Sequence, residues 1–308
     1  MFLTRPSLMR FQLMTRFILP LLAVAALSGR AAEPVSPNNS ANLDAKRDVA
    51  SRSGFLTDTN RTFPILFIVG DSTVHNPGRG ERGWGDVIGK NFDTNKIRVE
   101  NHALGGRSSR TFITQGYWDM VLAAAKPGDF VIVQLGHNDG GALNEEAPGS
   151  KYPLRARGTI RGLGEETQEI DNVLTKQHEV VHTYGWYLRK YVSDARAKGM
   201  TPILCTPVPH VPKETVKVGD VEKSSYVGWS AAVAKNENVP LVNINQISMS
   251  HYVGMTPNEI KAKYFTTADN THSSFAGAEL NAQSVIEGLK MLTNCPLAGF
   301  LNMNSVTK

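Results

Sequence analysis

Blocks of consecutive apolar residues alternate along the chain with segments of helical periodicity. The first block, Ile65 to Val69, contains large apolar residues in a row, which predicts a strand buried on both faces, because a strand with one solvated face alternates apolar and polar residues. Further strands are predicted at 96–101, 130–135, 202–206 and 239–244. Helices are predicted at 84–92, 111–125, 180–198, 224–237 and 274–292. The predicted fold class is therefore α/β, a three-layer α/β/α sandwich with a mostly parallel sheet of about five strands.

A long polar segment, residues 140–172, interrupts this alternation after the third predicted strand. Glycine and proline are scattered through it, and no strong periodicity predicts a helix. Loops of this length inside a compact domain are usually functional. We therefore expect the segment to form a flap over a site at the edge of the sheet.

The N-terminus has the pattern of a secretory signal peptide. Arginines precede the apolar run 17–27, and small residues follow at Gly29 and Ala31. The apolar run is too short to span a bilayer comfortably, so cleavage near Ala31 and export to the periplasm or the medium are expected. Residues 32–60, rich in Ser, Asn and Pro, are expected to form a linker or loosely ordered arm, and 61–308 the folded domain.

Removing the leader changes the charge balance of the chain. The full sequence has 33 basic and 28 acidic residues, and residues 1–31 hold four of the arginines and no acid. The mature chain is thus close to neutral, which gives no case for a nucleic-acid partner. No membrane contact is expected after the signal is removed. Cys205 and Cys295 are the only cysteines; the sequence leaves their pairing open and implies no disulfide scaffold.

Four short motifs lie where chemistry is expected, three after predicted strands and one before the last helix. They are Gly70-Asp71-Ser72, Gly105-Gly106-Arg107, Gly136-His137-Asn138-Asp139 and Asp269-Asn270-Thr271-His272. The carboxyl ends of parallel strands form the edge at which open α/β sheets bind ligands. In order, residue type and placement these motifs resemble the SGNH (GDSL-type) hydrolase family, which has a flavodoxin-like α/β fold. The resemblance covers nearly the whole region from Phe63 to Leu289.

The resemblance implies a role for five residues. Ser72 would be the nucleophile, and Asp269 and His272 would complete a catalytic triad. The oxyanion hole would consist of the backbone amides of Ser72 and Gly106 and the side-chain amide of Asn138. Chemistry requires these residue types, because a serine hydroxyl needs a neighbouring imidazole to take its proton, and a tetrahedral intermediate needs donors where negative charge develops. No cofactor and no metal are expected.

Several stretches are more specifically similar to the rhamnogalacturonan acetylesterases, carbohydrate esterase family twelve. They are Gly70–Val74, Ala103–Arg110, His182–Tyr187 and Asp269–His272. This similarity implies deacetylation of acetylated rhamnogalacturonan in pectin, so the expected partner is an acetylated acidic polysaccharide or oligosaccharide. A galacturonate carboxylate favours cations, and Arg107 and Arg110 beside the oxyanion loop are the candidate substrate-binding residues. Structural ion pairs are the alternative role for both.

One segment points to a different class of enzyme. His178-Glu179-Val180-Val181-His182 matches the His-Glu-x-x-His pattern of zinc metalloproteases, in which two histidines one helical turn apart bind the metal. The longer form of that motif needs a third histidine at the position of Leu188. Because catalytic zinc takes three protein ligands, we interpret the match as a coincidence and keep a metalloprotease as an alternative.

Three further alternatives remain open at the sequence level. The esterase could act on another acyl ester, either acetyl-xylan or an acyl lipid. A lipase is the less favoured of these, since no amphipathic anchor or large apolar flap follows the leader. The chain could also be a non-catalytic carbohydrate-binding module that kept the fold, although the complete set of site residues argues against this. Turnover of a generic acetyl ester would separate these alternatives.

Overall fold

A computed structural model describes residues 61–78, 80–150, 153–222 and 224–302. The expected signal peptide (1–31) and linker (32–60) lie outside the described residues. No helix in the described part of the chain combines the length and apolar character that crossing a bilayer requires.

A five-stranded parallel sheet forms the centre of the domain. The strands of the structure, in chain order, are β1 (Ile65–Gly70), β2 (Arg98–Asn101), β3 (Phe130–Gln134), β4 (Glu145–Glu146), β5 (Leu154–Arg155), β6 (Thr167–Asp171), β7 (His178–His182), β8 (Thr201–Cys205) and β9 (Leu241–Val242). The central sheet has the order β2-β1-β3-β8-β9 with every pair parallel. The chain therefore winds outward from β1 in both directions, and the loops after β1, β2 and β3 meet at one edge.

Helices cover both faces of this sheet. They are α1 (Ser109–Thr114), α2 (Tyr117–Ala124), α3 (Tyr184–Ala197), α4 (Ser225–Asn236), α5 (Ile244–His251), α6 (Pro257–Tyr264) and α7 (Phe275–Met291). Short 3₁₀ helices lie at Trp84–Asp86, Ile88–Asn91 and Pro296–Phe300.

Alternate side chains of the buried strands enter two separate cores. Phe67 of β1 packs in the cluster that contains residues of α1 to α4, whereas Ile68 packs with residues of α7 and of the first 3₁₀ helices. Side chains of a strand point to opposite faces in turn, so an uninterrupted apolar run serves both cores. The three-layer α/β/α fold predicted from the sequence is confirmed.

Two of the predicted helices are broken. The segment predicted as one helix at 111–125 consists of α1 and α2, separated at Gly116, whose φ of 79° lies in the left-handed region that only glycine adopts at little cost. The helix predicted at 84–92 is replaced by the two 3₁₀ helices at Trp84–Asp86 and Ile88–Asn91.

The helix predicted at 180–198 begins later than expected. Residues 178–182 form strand β7, which pairs with β6 in an antiparallel hairpin. Helix α3 then starts after Thr183, whose side chain accepts a hydrogen bond from the Trp186 amide as an N-cap. Strand β7 could not be predicted from the local pattern of apolar and polar residues, because it is stabilised by pairing with β6 and not by its neighbours in the chain.

Two further departures concern the C-terminal half. The fifth strand is limited to Leu241–Val242, and helices α5 and α6 follow it, neither of which was predicted.

The two cysteines do not form a disulfide. Cys205 and Cys295 are both buried free thiols, and burial raises the pKa of each.

The polar insertion at 140–172 is not an irregular loop. It contains the β4–β5 hairpin and β6. Leu154 to Arg157 line the same pocket as Ser72, so part of the insertion lies beside the predicted site, as expected for a flap.

Candidate active site

Ser72 lies in the tight turn that follows β1. The amides of Val74 and His75 donate to the Asp71 carbonyl at 3.1 and 3.0 Å, and Asp71 Oδ1 accepts from the Thr73 amide at 2.9 Å. An ideal Cβ on Gly70 would lie 2.3 Å from Val74 Cγ2, so only glycine lets the turn fold back this closely. The turn leaves Ser72 half-buried at the carboxyl edge of the sheet.

The structure brings the three predicted triad residues together. Ser72 Oγ and His272 Nε2 are 2.9 Å apart, although 200 residues separate them in the chain. His272 Nδ1 lies 2.6 Å from Asp269 Oδ2. This is a continuous hydrogen-bonded chain from hydroxyl to imidazole to carboxylate, so the imidazole is placed to accept the serine proton.

Asp269 is held as a carboxylate. Its Oδ1 accepts from the amides of Thr271 and His272, each at 2.8 Å. Partial burial acts to raise the Asp269 pKa, but these amides and the His272 ring outweigh it and lower the pKa below its ordinary value. The second oxygen is therefore left free to orient the imidazole.

The predicted oxyanion residues line the same pocket as the triad serine and histidine. The pocket has a volume of about 500 Å³ and includes Ser72, Gly106, Asn138 and His272. Gly106 has a φ of 78°, a conformation that favours glycine. Asn138 Nδ2 donates to the Arg107 carbonyl at 3.0 Å, which fixes the amide beside the loop after β2 and leaves its second hydrogen for a ligand.

A buried ion pair joins the nucleophile turn to the loop after β3. His137 Nδ1 lies 3.2 Å from Asp71 Oδ2, and His137 Nε2 lies 3.1 Å from the Val208 carbonyl. Burial opposes charge on both side chains, yet their mutual attraction lowers the Asp71 pKa and raises the His137 pKa. Because both ring nitrogens face acceptors, the imidazolium is the form that satisfies them. The pair fixes Ser72 relative to Asn138, since each partner is adjacent to one of them in the chain.

Asp139, next to Asn138, is fully buried and connects the loop after β3 to α1 through hydrogen bonds. Its carboxyl oxygens accept from the Ser109 amide at 3.1 and 3.2 Å, and Oδ1 also accepts from Ser109 Oγ. Burial raises the Asp139 pKa to about 7. The residue is therefore a structural acid whose charge changes near neutrality.

The two predicted substrate-binding arginines have different environments. Arg107 lines the pocket, but its guanidinium donates to Gln115 Oε1 at 3.2 Å, the Gly105 carbonyl at 2.9 Å and Tyr117 Oη at 3.0 Å. It is held against the loop that carries Gly106.

The prediction for Arg110 is wrong. Its side chain is fully buried, and it forms a two-pronged ion pair with Glu179, with Nε–Oε1 at 2.6 Å and Nη2–Oε2 at 2.8 Å. Arg110 Nη1 donates to the carbonyls of Leu143 and Gly158. No part of this guanidinium is available to a substrate, so the structural alternative holds for Arg110.

The same ion pair removes the basis of the metalloprotease alternative. Glu179, the base in that motif, pairs with Arg110. His178 and His182 lie at the two ends of strand β7, and four residues of strand span about 13 Å, too far for both to bind one zinc at about 2 Å. His182 stacks on Trp186 with ring centroids 3.7 Å apart.

One cluster among the described residues could hold a metal ion. Glu81, Asp269 and His272 present ligand atoms within 4.8 Å of one another. Both ring nitrogens of His272 are already directed at Ser72 and Asp269, so a metal there would require the triad to open. Glu81 is a buried acid that the sequence analysis did not identify, because nothing in its local pattern marks it.

The pocket also contains residues that sequence reasoning missed. Its wall includes Leu154, Arg155, Ala156 and Arg157 of the insertion and Leu174 of the turn between β6 and β7. Leu154 and Leu174 are large apolar side chains that remain 39% and 43% exposed. Only the unusual length of the insertion was a signal for these residues.

Residues 68–280 match the model of the GDSL-like Lipase/Acylhydrolase family. The chain belongs to this family. It is 29% identical over 233 residues to a protein named probable rhamnogalacturonan acetylesterase YesY of Bacillus subtilis, covering 74% of this chain and 93% of that one. It is 25% identical over 224 residues to a rhamnogalacturonan acetylesterase of Emericella nidulans, covering 73% and 84% of the two chains.

The crystal structure of YxiM from Bacillus subtilis has the same fold, with a TM-score of 0.57 and 24% identity, over 74% of this chain and 56% of that one. The chain thus spans little more than half the length of that structure. Family membership and the relatives' names together make this GDSL-family protein a carboxylic-ester hydrolase.

Proposed function

We propose that the protein is an exported serine acetylesterase that removes acetyl groups from acetylated rhamnogalacturonan. The observation that carries the proposal is the hydrogen-bonded chain from Ser72 through His272 to Asp269, in a pocket that Gly106 and Asn138 also line. Catalysis requires nucleophile, base and oxyanion donors around one reacting carbon.

In the first half of the reaction, Ser72 Oγ attacks the acetyl carbonyl while His272 Nε2 takes its proton. Asp269 accepts from the Nδ1–H of His272, fixing the tautomer and stabilising the imidazolium that forms. The carbonyl oxygen becomes an oxyanion and is stabilised by the amides of Ser72 and Gly106 and by the second Nδ2 hydrogen of Asn138. His272 then protonates the sugar oxygen as the carbon–oxygen bond breaks, which leaves an acetyl-serine.

In the second half, water replaces the sugar. His272 takes a proton from the water, whose oxygen attacks the acetyl-serine carbonyl through a second tetrahedral intermediate. Collapse of this intermediate returns the proton from His272 to Ser72 Oγ and releases acetic acid, which loses its remaining proton to solvent as acetate. The ionised Asp269 serves both halves, and its lowered pKa keeps it a carboxylate.

The substrate class is supported by the names of the relatives and by the chemistry of the pocket. Two relatives are named rhamnogalacturonan acetylesterases, one of them as a probable one. The pocket contains three arginines, Arg107, Arg155 and Arg157, which suits an acidic polysaccharide. The leader predicted at residues 1–31 would deliver the enzyme to where such polymers are found.

Acetate release from three substrates tests the proposal. Acetylated rhamnogalacturonan should be deacetylated with a higher kcat/KM than acetyl-xylan, and a long-chain acyl ester should be the poorest substrate. Ser72→Ala should abolish release from all of them. A higher kcat/KM on acetyl-xylan or on the long-chain ester would overturn the substrate assignment, and full activity of Ser72→Ala would overturn the mechanism.

A further inference from the structure

A short extended segment of the insertion forms one wall of the catalytic pocket. Leu154, Arg155, Ala156 and Arg157 all line it. We propose that Arg157 forms a carboxylate-binding subsite in this wall, which recognises the uronate group of the sugar chain that carries the acetyl ester. The inference rests on the proposed function and deepens it, because it assigns the recognition of the acid to one side chain.

The charge of the described pocket lining is the first argument. The residues that line it are Ser72, Gly106, Arg107, Thr111, Gln115, Asn138, Leu154, Arg155, Ala156, Arg157, Leu174 and His272. No aspartate or glutamate is among them, and three arginines are. A cleft lined by charge of one sign attracts ligands of the opposite sign, so this pocket favours an anionic substrate.

The second argument concerns which arginine is available. Arg107 uses its guanidinium on Gln115, Gly105 and Tyr117. Within the described ranges of the chain, no side-chain hydrogen bond or ion pair engages the guanidinium of Arg157, and the residue is exposed. A guanidinium offers donors in a planar fork that matches a carboxylate. Arg155, the third arginine of the pocket, has an interaction partner of its own. Arg157 is therefore the pocket arginine whose donors are open to a ligand.

The third argument is that the base of the Arg157 side chain is held in place. The amides of Arg157 and Gly158 donate to the Ala142 carbonyl at 3.1 and 2.8 Å. An ideal Cβ on Gly141 would lie 3.2 Å from both Cγ and Nε of Arg157, so the side chain packs closely over this glycine. A fixed stem with an exposed head loses less conformational freedom on binding than a fully mobile arginine does.

The test removes the charge from the enzyme and from the substrate separately. Acetate release is measured on an acetylated rhamnogalacturonan oligosaccharide and on the same oligosaccharide with its carboxyl groups methyl-esterified. For the native enzyme we expect KM to be about fivefold to tenfold lower on the free acid, since a partly exposed charge pair contributes on the order of one factor of ten at most. Arg157→Gln should raise KM on the free acid until the two substrates differ by less than twofold, with kcat changed little.

Two variants sharpen the result. Arg157→Lys keeps the charge but not the planar fork, so it should retain only part of the preference. Arg161→Gln removes the same charge from an exposed arginine of the same insertion, which lines a different pocket, and it should keep the full preference. Thermal midpoints of all variants should match that of the native enzyme.

The outcomes separate this inference from the proposed function. If the native enzyme releases acetate from neither form of the rhamnogalacturonan oligosaccharide, the proposed function fails. If it deacetylates both but Arg157→Gln keeps the native preference for the free acid, or if Arg161→Gln loses it equally, the subsite assignment fails while the proposed function stands. Equal KM values on the two substrates for the native enzyme would also overturn the subsite.

Discussion

The side-chain amide of Asn138 is the clearest point at which a single residue should control the rate. One of its hydrogens is used on the Arg107 carbonyl, so the other is oriented by that bond toward the pocket. Its interaction with the substrate oxygen strengthens as negative charge develops, and it therefore favours the transition state over bound substrate. We predict that Asn138→Ala lowers kcat by ~10² to 10³ with little change in KM.

The control for this prediction is Asn236→Ala, at the exposed end of α4, which should leave kcat unchanged. Thermal midpoints of both variants are measured beside the kinetics. Near-native kcat in Asn138→Ala, or a midpoint collapse that accounts for the loss, would remove Asn138 from the mechanism.

Asp139 should make stability depend on pH. Its folded-state pKa is about 7, above the ordinary value of 3.8, because of burial. Between these values the folded state binds more protons than the unfolded state, so the free energy of unfolding falls as pH rises, with the loss complete above about pH 7. The loss is on the order of 4 kcal/mol for a shift of this size.

Asp139→Asn keeps an acceptor for Ser109 and cannot ionise. We predict that the variant loses most of this decline, as measured by urea unfolding of both proteins at pH 5 and pH 8. The His137–Asp71 pair is present in both proteins, so its own contribution cancels in the comparison. An identical fall in the native protein and the variant would show that Asp139 does not change its charge between pH 5 and pH 8.

At the scale of elements, the ion pair between Arg110 of α1 and Glu179 of β7 connects the β6–β7 hairpin to α1. Asn172 Nδ2 also donates to Glu179 Oε2 at 2.7 Å. Glu179→Gln leaves the buried guanidinium without its counter-charge, and removing one partner of a buried pair costs about 3–5 kcal/mol. We predict that Glu179→Gln lowers the free energy of unfolding by this amount, measured as a lower thermal midpoint. The activity of the native enzyme and of the variant should not change when a chelator is added.

Glu169→Gln is the matched control on the same hairpin. Its side chain is largely exposed and lies 3.8 Å from His178, so it should change stability by less than about 1 kcal/mol. Loss of activity in Glu179→Gln at native stability, together with zinc-restored activity after EDTA, would return the metalloprotease alternative.

The elements show where sequence patterns succeed and where they fail. Strands β1 and β3 were predicted because buried runs of this kind have few other interpretations. Strand β7 was missed because Val180 and Val181 continue the apolar pattern of α3, and its pairing with β6 is a contact between separate strands. The division of α1 from α2 depends on the backbone conformation of Gly116, which a periodic pattern does not register.

At the scale of the whole molecule, the predicted signal peptide lies outside the described residues and stays a prediction. We expect the exported protein to begin close to residue 32, as measured by intact mass of protein from the medium or periplasm. Val24→Arg places a charge in the apolar run of the leader and should retain the protein in the cell. Asn42→Ala, in the expected arm, should not change export. An exported protein with residues 1–31 intact would contradict cleavage.

The sequence by itself determined the fold class and, through the resemblance of four motifs, five candidate residues for catalysis. Three of the motifs lie at or shortly after the ends of parallel strands, and the carboxyl ends of parallel strands share one edge, so Ser72, Gly106 and Asn138 were expected at that edge. The fourth motif was identified by resemblance, and the distance of 2.9 Å from His272 Nε2 to Ser72 Oγ then follows from the tertiary fold.

Only the tertiary structure decided which arginine lines the pocket with its guanidinium open to a ligand. Arg107, Arg110 and Arg157 have the same chemistry, and their spacing in the chain does not distinguish them. Arg110 is removed from the site by a glutamate 69 residues away, and Arg157 enters the pocket through a hairpin whose pairing is not encoded in any local pattern. The role of each arginine depends on residues that are distant in the chain, because a charged side chain pairs with whichever group the fold brings within a few ångströms.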